Sequence, residues 1–142
     1  MINDSSSVFT IFKMTPKQVL MEAMASCHGL ARVNNKLIGD PLEIKMFEAT
    51  NFLLDDVNSK VIGPNETINI LRRFEFSSTL QRMSVIVEKN GVLRVHVKGS
   101  PEKLRELCKS TTIPSSFHKI LEFYSKLGFR ILACGTKILP KE

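Results

Sequence analysis

The chain has 142 residues, of which 43% are hydrophobic, 24% charged and 7% aromatic. That suits one domain with a sizeable core and excludes collagenous and disordered classes, while three widely separated cysteines, Cys27, Cys108 and Cys134, argue against a disulfide scaffold and for a reducing compartment. No run of about 18 apolar residues exists to cross a bilayer, and the opening MINDSSSVFT has neither the basic head nor the apolar stretch of a secretory signal, so no cleaved leader is expected.

The formal charge of +6 is unevenly spread: residues 1–70 carry 6 Lys/Arg against 8 Asp/Glu, residues 71–142 carry 14 against 6. A basic half attracts anions, whether nucleic acid, acidic lipid or the phosphates of a nucleotide.

In chain order, Val8–Phe12 reads as a weak strand within a linker or edge segment, 1–14, of a single domain spanning 1–142. Thr15-Pro16-Lys17-Gln18 predicts a capped helix start, with Leu20, Ala23, Met24 and Cys27 on one face and Gly29 as the stop. Asp40-Pro41-Leu42-Glu43 repeats the scheme, with Leu42, Met46 and Ala49 inward and Phe47 beside them. A weak strand near Phe52–Val57 follows, and residues 58–69 (NSKVIGPNETIN) read as a polar surface loop.

Ile70–Phe76, Arg82–Glu88 and Val92–Val97 are rich in β-branched and aromatic residues and predict strands. Asn90-Gly91 is a type I′ hairpin signal, and a two-residue turn there pairs Val87 with Arg94, Val85 with His96 and Met83 with Lys98. Ser100-Pro101 opens a third helix that buries Leu104, Leu107 and Cys108. A fourth runs from Ser116 to Leu127, with Phe117, Ile120, Leu121, Tyr124 and Leu127 on one side and Gly128 ending it, before a closing strand Phe129–Cys134. Hairpins interleaved with helices, without regular β-α-β alternation, predict an α+β fold: a largely antiparallel, twisted sheet flanked by helices.

No phosphate-binding G-x-x-x-x-G-K-[ST] loop, G-x-G-x-x-G fingerprint, H-E-x-x-H helix or G-x-S-x-G elbow occurs. Cys27-His28 reads as a buried cysteine beside a surface histidine, since adjacent residues diverge by about 100° on a helix. No catalytic residue and no protein-held metal is expected.

Four segments each suggest part of a nucleotide site. Glu43, in the first turn of its helix, either accepts a hydrogen bond from an exocyclic amine or closes a capping box. In Phe74-Glu75-Phe76-Ser77-Ser78 an exposed Phe76 offers a face for a flat base, while one of the two phenylalanines is required by the core. Lys98-Gly99 puts a cation at a strand end and lets backbone approach a ligand. Gly128-Phe129-Arg130 sets an arginine on the closing strand, its alternative being solvated surface.

Taken in order, G-D-P-L-E at 39–43, F-S-S-T-L-Q-R-M-S-V at 76–85, K-G-S-P-E at 98–102 and G-F-R-I-L-A at 128–133 resemble the nucleotide-binding (N) domain of P-type ATPases. C-H-G-L at 27–30, D-P-L-E-I-K-M-F-E-A-T at 40–50 and L-Q-R-M-S-V at 80–85 resemble the polyamine-transporting B branch of the type V group. The resemblance implies that Phe76 stacks on adenine, Glu43 approaches the adenine amine, Lys98 and Gly99 line the pocket, and Arg130 reaches ribose or phosphates. Where family members often carry a second lysine, this chain has Gln81 followed by Arg82, both candidate members of the site.

The resemblance further implies a ligand, ATP as its magnesium complex, and a parent ATPase whose acceptor aspartate lies in a separate phosphorylation domain. No Asp-Lys pair occurs in this chain, so the D-K-T-G acceptor sequence is absent and the isolated chain is expected to be an inactive, monomeric, excised domain. Its expected partners are the phosphorylation and actuator domains of the parent, at the cytosolic face of an endosomal, lysosomal or vacuolar membrane, with no nucleic acid. The alternative is a basic α+β nucleic-acid-binding module, which the sequence supports with its +8 half and strand phenylalanines but not with any RRM-like stretch or run of basic residues.

Overall fold

The computed structural model describes residues 16–140; Val8–Phe12 and the Thr15 cap lie outside them. The elements run α1 (Pro16–Ser26), β1 (Ala31–Val33), β2 (Lys36–Ile38), α2 (Pro41–Glu48), β3 (Leu53–Asp55), β4 (Lys60–Ile62), β5 (Thr67–Ser77), β6 (Arg82–Lys89), β7 (Val92–Gly99), α3 (Pro101–Leu107), α4 (Phe117–Lys126) and β8 (Ala133–Leu139). β3 to β8 form an antiparallel six-stranded sheet in sequence order, and β1 and β2 form a separate hairpin. The α+β architecture is thus a meander with helices set against it.

The β6–β7 register is the one a two-residue Asn90-Gly91 turn dictates: Val87 opposite Arg94, Val85 opposite His96, Met83 opposite Lys98. Both turn residues have positive φ, +51° and +76°. Facing residues of an antiparallel pair share a side, so Met83, Val85 and Val87 stand with Lys98, His96 and Arg94 on one surface. The three apolar residues join Ala25, Cys27, Leu30, Phe47, Leu54, Val61 and Ile68 in the main core. Val97 packs on the other side against Leu104 of α3.

The inward stripes differ from those expected. α1 buries Val19, Glu22, Ala23 and Ser26 and leaves Leu20 half exposed. It turns Glu22 inward because partners wait there: Lys89 Nζ lies 2.6 Å from Glu22 Oε1 and His96 Nε2 3.6 Å from Oε2, while Lys89 also pairs with Glu66. Burial alone raises the Glu22 carboxyl, but His96 and Lys89 outweigh it and hold it below the ordinary range. α2 points Phe47 inward, with Leu42 and Met46 half-buried and Ala49 exposed.

Other expectations are corrected too. The supposed loop 58–69 contains β4 and the start of β5, with Val61 and Ile68 fully buried. Asn34 and Asn35 form an unforeseen turn between β1 and β2, both at positive φ. The closing strand starts at Ala133 rather than Phe129, because its partner β7 ends at Gly99, opposite Ala133, and residues 129–132 have no strand to pair with. α4 is bounded as expected, by Ser116 and Leu127 with Gly128 at φ +85°. Its apolar side is not a core face: Ile120, Tyr124 and Leu127 are exposed, and the aromatics pack on one another, Tyr124 against Phe129 at 5.8 Å. Finally, His28 is buried, not superficial.

Candidate functional site

Each functional segment is placed by local chemistry. Asp40 Oδ1 accepts from the Leu42 and Glu43 N–H groups and Pro41 occupies the first turn, so α2 starts sharply and presents Glu43. Glu43 does not close a capping box. Its Oε1 accepts from Lys98 Nζ at 2.8 Å and its Oε2 from the Gly29 N–H at 3.1 Å. Lys98 is 5% exposed, so a residue expected as a free cation at a strand tip is a nearly buried partner of Glu43.

Gly29 follows a fixed turn at the end of α1. His28 Nε2 lies 2.8 Å from the Ala25 carbonyl, and the Leu30 N–H donates to His28 Nδ1 at 3.1 Å. Those partners specify the neutral ring with its proton on Nε2, and burial pushes the His28 pKa down to about 4. Beside it burial pushes the Cys27 thiol up to about 12, against the opposing influence of Lys98, which marks an inert core cysteine.

Strand β5 supplies the aromatic wall through an irregularity. Phe74 pairs with Ser84 and Ser77 with Arg82, so β5 carries one residue more than β6 across this interval. Such a bulge re-aims side chains, and consecutive Glu75 and Phe76 both line one cavity. Neither phenylalanine serves the core: Phe76 is 63% exposed, and Phe74 lies under the Arg72 guanidinium at 4.7 Å.

The cavity, about 360 Å³, is bordered by Glu43, Phe76, Lys98, Gly99 and Arg130 of the expected residues. Gly29, Asp40, Glu75, Met83 and Leu132 also border it and were not foreseen. Gln81 lies instead in an adjoining cleft of about 370 Å³, which shares Phe76, Gly99, Arg130 and Leu132 with the first and adds Ser100 and Leu121. There Gln81 sits at φ +55° and its carbonyl accepts from the Ser100 N–H. Arg82 borders neither cleft; it is half-buried opposite Ser77 and Gly99. Arg130 is exposed, on the segment before β8 rather than on that strand.

Gly99 is required sterically. A Cβ there would stand 2.3 Å from the Gln81 carbonyl oxygen and 2.9 Å from Arg82 Cα. The glycine lets β7 lie flush against the β5–β6 turn at the cavity floor.

A larger depression of about 580 Å³ lies between the β1–β2 hairpin and β3. Its one cation, Arg32, already donates to the carbonyls of Leu54 and Asn35. Among the described residues no group of three or more His, Cys, Asp or Glu is placed to hold a metal ion, and no helix is long and apolar enough to cross a membrane.

Comparison with known proteins identifies the family. Residues 14–142 match the family described as P-type ATPase, cytoplasmic domain N. The chain is 39% identical to the probable cation-transporting ATPase 13A5 of Mus musculus, over 94% of this chain and 13% of that protein. It is 36% identical to the polyamine-transporting ATPase 13A3 of Mus musculus, over 92% of the chain and 14% of that protein. To the polyamine-transporting ATPase 13A2 of Homo sapiens it is 34% identical, over 88% of the chain and 13% of that protein. It thus spans only about an eighth of these relatives' length. A nucleic-acid module is not favoured, and the chain belongs to the P-type ATPase cytoplasmic N domains, of the kind found in the 13A cation- and polyamine-transporting ATPases.

Proposed function

We propose that this chain binds ATP, as its magnesium complex, and serves a larger P-type transport ATPase by carrying the γ-phosphate to an acceptor aspartate in a separate phosphorylation domain. The observation that supports it most is the cavity with an exposed aromatic wall, Phe76, facing a nearly buried cation, Lys98, from a distant strand. An apolar slot with a few placed polar groups suits a nucleotide base.

Phe76 supplies the stacking face, Lys98 and Gly99 the floor, Glu43 a fixed carboxylate and Arg130 a forked cation. Phe76 and Arg130 border both clefts, so a base in the first directs its ribose and phosphates past Arg130 towards the second, where Gln81 and Ser100 stand. The magnesium arrives with the triphosphate. Arg82 has no place in this arrangement.

The domain contributes orientation rather than bond-breaking groups. Alone it should hydrolyse nothing, and because a carrier must release its load we expect a Kd of about 0.1–5 mM. The parent is read as a polyamine or cation transporter, with this domain beside its phosphorylation and actuator domains on the cytosolic side of an endosomal, lysosomal or vacuolar membrane.

The test is titration of Mg-ATP into the ¹⁵N-labelled chain. Amides of Gly29, Glu43, Phe76, Lys98, Gly99 and Arg130 should shift together and saturate. Absence of shifts there up to about 10 mM would overturn the reading.

A further inference from the structure

The resemblance assigns recognition of the base's amino group to Glu43, yet in the structure that carboxylate is already engaged on both oxygens. Oε1 holds Lys98 at 2.8 Å and Oε2 holds the Gly29 N–H at 3.1 Å. Each oxygen keeps a further lone pair, but Oε1 serves an ammonium whose side chain is only 6% exposed and Oε2 a backbone N–H, so Glu43 is held in place as the partner of Lys98.

A second carboxylate stands at the same corner. A Cβ on Gly29 would lie 3.8 Å from Glu43 Oε2 and equally 3.8 Å from Glu75 Oε2, so both acids converge on one point of the cavity wall. Glu75 is exposed, and among the described residues no hydrogen bond or ion pair holds its carboxylate. It immediately precedes the aromatic wall, and the β5 bulge turns both side chains to the same cavity.

We propose that Glu75 is the specificity residue of this site: its carboxylate accepts a hydrogen bond from the exocyclic amine of a base stacked on Phe76, while Glu43 acts as the counter-ion that positions Lys98. The inference rests on the nucleotide reading above. An ionised carboxylate only accepts, so it favours bases that present an amine, as adenine does, and repels guanine, whose corresponding atom is a carbonyl oxygen. Adjacency to Phe76 in the chain fixes the acceptor relative to the plane of the stacked base.

The experiment measures binding of the magnesium complexes of ATP, GTP and purine riboside triphosphate, which lacks the 6-amino group, to the wild-type chain and to Glu75→Ala, Glu75→Gln and Glu43→Gln. The wild type should bind ATP about tenfold tighter than purine riboside triphosphate, the worth of a hydrogen bond to a charged group. Glu75→Ala should erase that ratio, and its exposed position keeps the fold intact. Glu75→Gln should narrow the gap between ATP and GTP, because its amide donates as well as accepts. Glu43→Gln should keep the ATP to purine riboside ratio while binding all three more weakly. A ratio that survives Glu75→Ala, or vanishes in Glu43→Gln, would overturn the assignment while leaving nucleotide binding standing. A wild-type chain that binds none of the three would instead remove the nucleotide reading and this assignment with it.

Discussion

Lys98 donates to Glu43 across 2.8 Å, tying the end of β7 to the first turn of α2. Both side chains are largely shielded, 6% and 17% exposed, so the pair holds α2 against the sheet and keeps the cavity corner open. Charged partners withdrawn from water contribute little net stability together, but removing one leaves the other uncompensated. Glu43→Gln should therefore lower stability by about 1–3 kcal/mol in urea denaturation, discounted for residual solvent access. Adding Lys98→Met should restore much of that loss while leaving ATP binding impaired. Equal destabilisation by single and double variants would show that the two residues do not act as a pair.

Phe76 separates binding from stability. Its ring is 63% exposed and packs in neither hydrophobic cluster, so Phe76→Ala should leave the melting temperature nearly unchanged. The same change should weaken ATP by about 1–3 kcal/mol, the value of one stacked base. Calorimetric titration and a thermal melt on the same sample distinguish the two effects. A large drop in melting temperature would make the ring structural, and unchanged affinity would remove it from the site.

Gly99 predicts the opposite pattern. An added Cβ meets backbone, the Gln81 carbonyl oxygen at 2.3 Å and Arg82 Cα at 2.9 Å, and backbone yields less readily than a side-chain tip. Gly99→Ala should cost about 1–3 kcal/mol and shift amides of Gln81, Arg82 and Ser100, because β7 must move away from the β5–β6 turn. Wild-type stability with unshifted amides there would mean that the close approach is not obligatory.

These sites show what the sequence makes legible. The Asn90-Gly91 turn constrains two φ angles, and from it alone the pairing of Met83 with Lys98 follows, placing Lys98 in the strand next to β6. The starts of α2 and α3 are equally local, since Asp40 and Ser100 each cap a proline-led turn with their own side chains. The β5 bulge leaves no such trace: alternation puts Glu75 opposite Phe76, and only the mismatch between Phe74–Ser77 and Ser84–Arg82 brings both to the cavity. Glu22 is buried because its partners Lys89 and His96 arrive from a remote hairpin, which no pattern within α1 announces. The Asn34-Asn35 turn was available, for asparagine tolerates left-handed backbone, but the strands beside it are only three residues each. Arg130 falls outside the closing strand because β7 stops at Gly99, opposite Ala133, where the Ser100-capped helix begins, and the apolar run around Phe129 gives no sign of that limit.

His28 should govern the acid limb of stability. Burial lowers its pKa from 6.5 to about 4, so between those values the unfolded chain takes up a proton that the folded chain refuses. The resulting stabilisation is fully present above pH 6.5 and is lost progressively as pH falls towards 4. Over the whole window the loss amounts to roughly 3 kcal/mol. Glu22, whose folded pKa lies below its ordinary 4.5, adds a further loss at lower pH, as falling pH approaches and passes its folded value. Denaturation midpoints at pH 7, 6, 5 and 4.5 should therefore fall steadily in the wild type. His28→Gln keeps a donor and an acceptor for Ala25 and Leu30 but cannot titrate, so its stability at pH 7 should drop modestly and its slope between pH 6.5 and 4.5 should flatten. A variant whose slope matches the wild type would show that His28 does not set the acid limb.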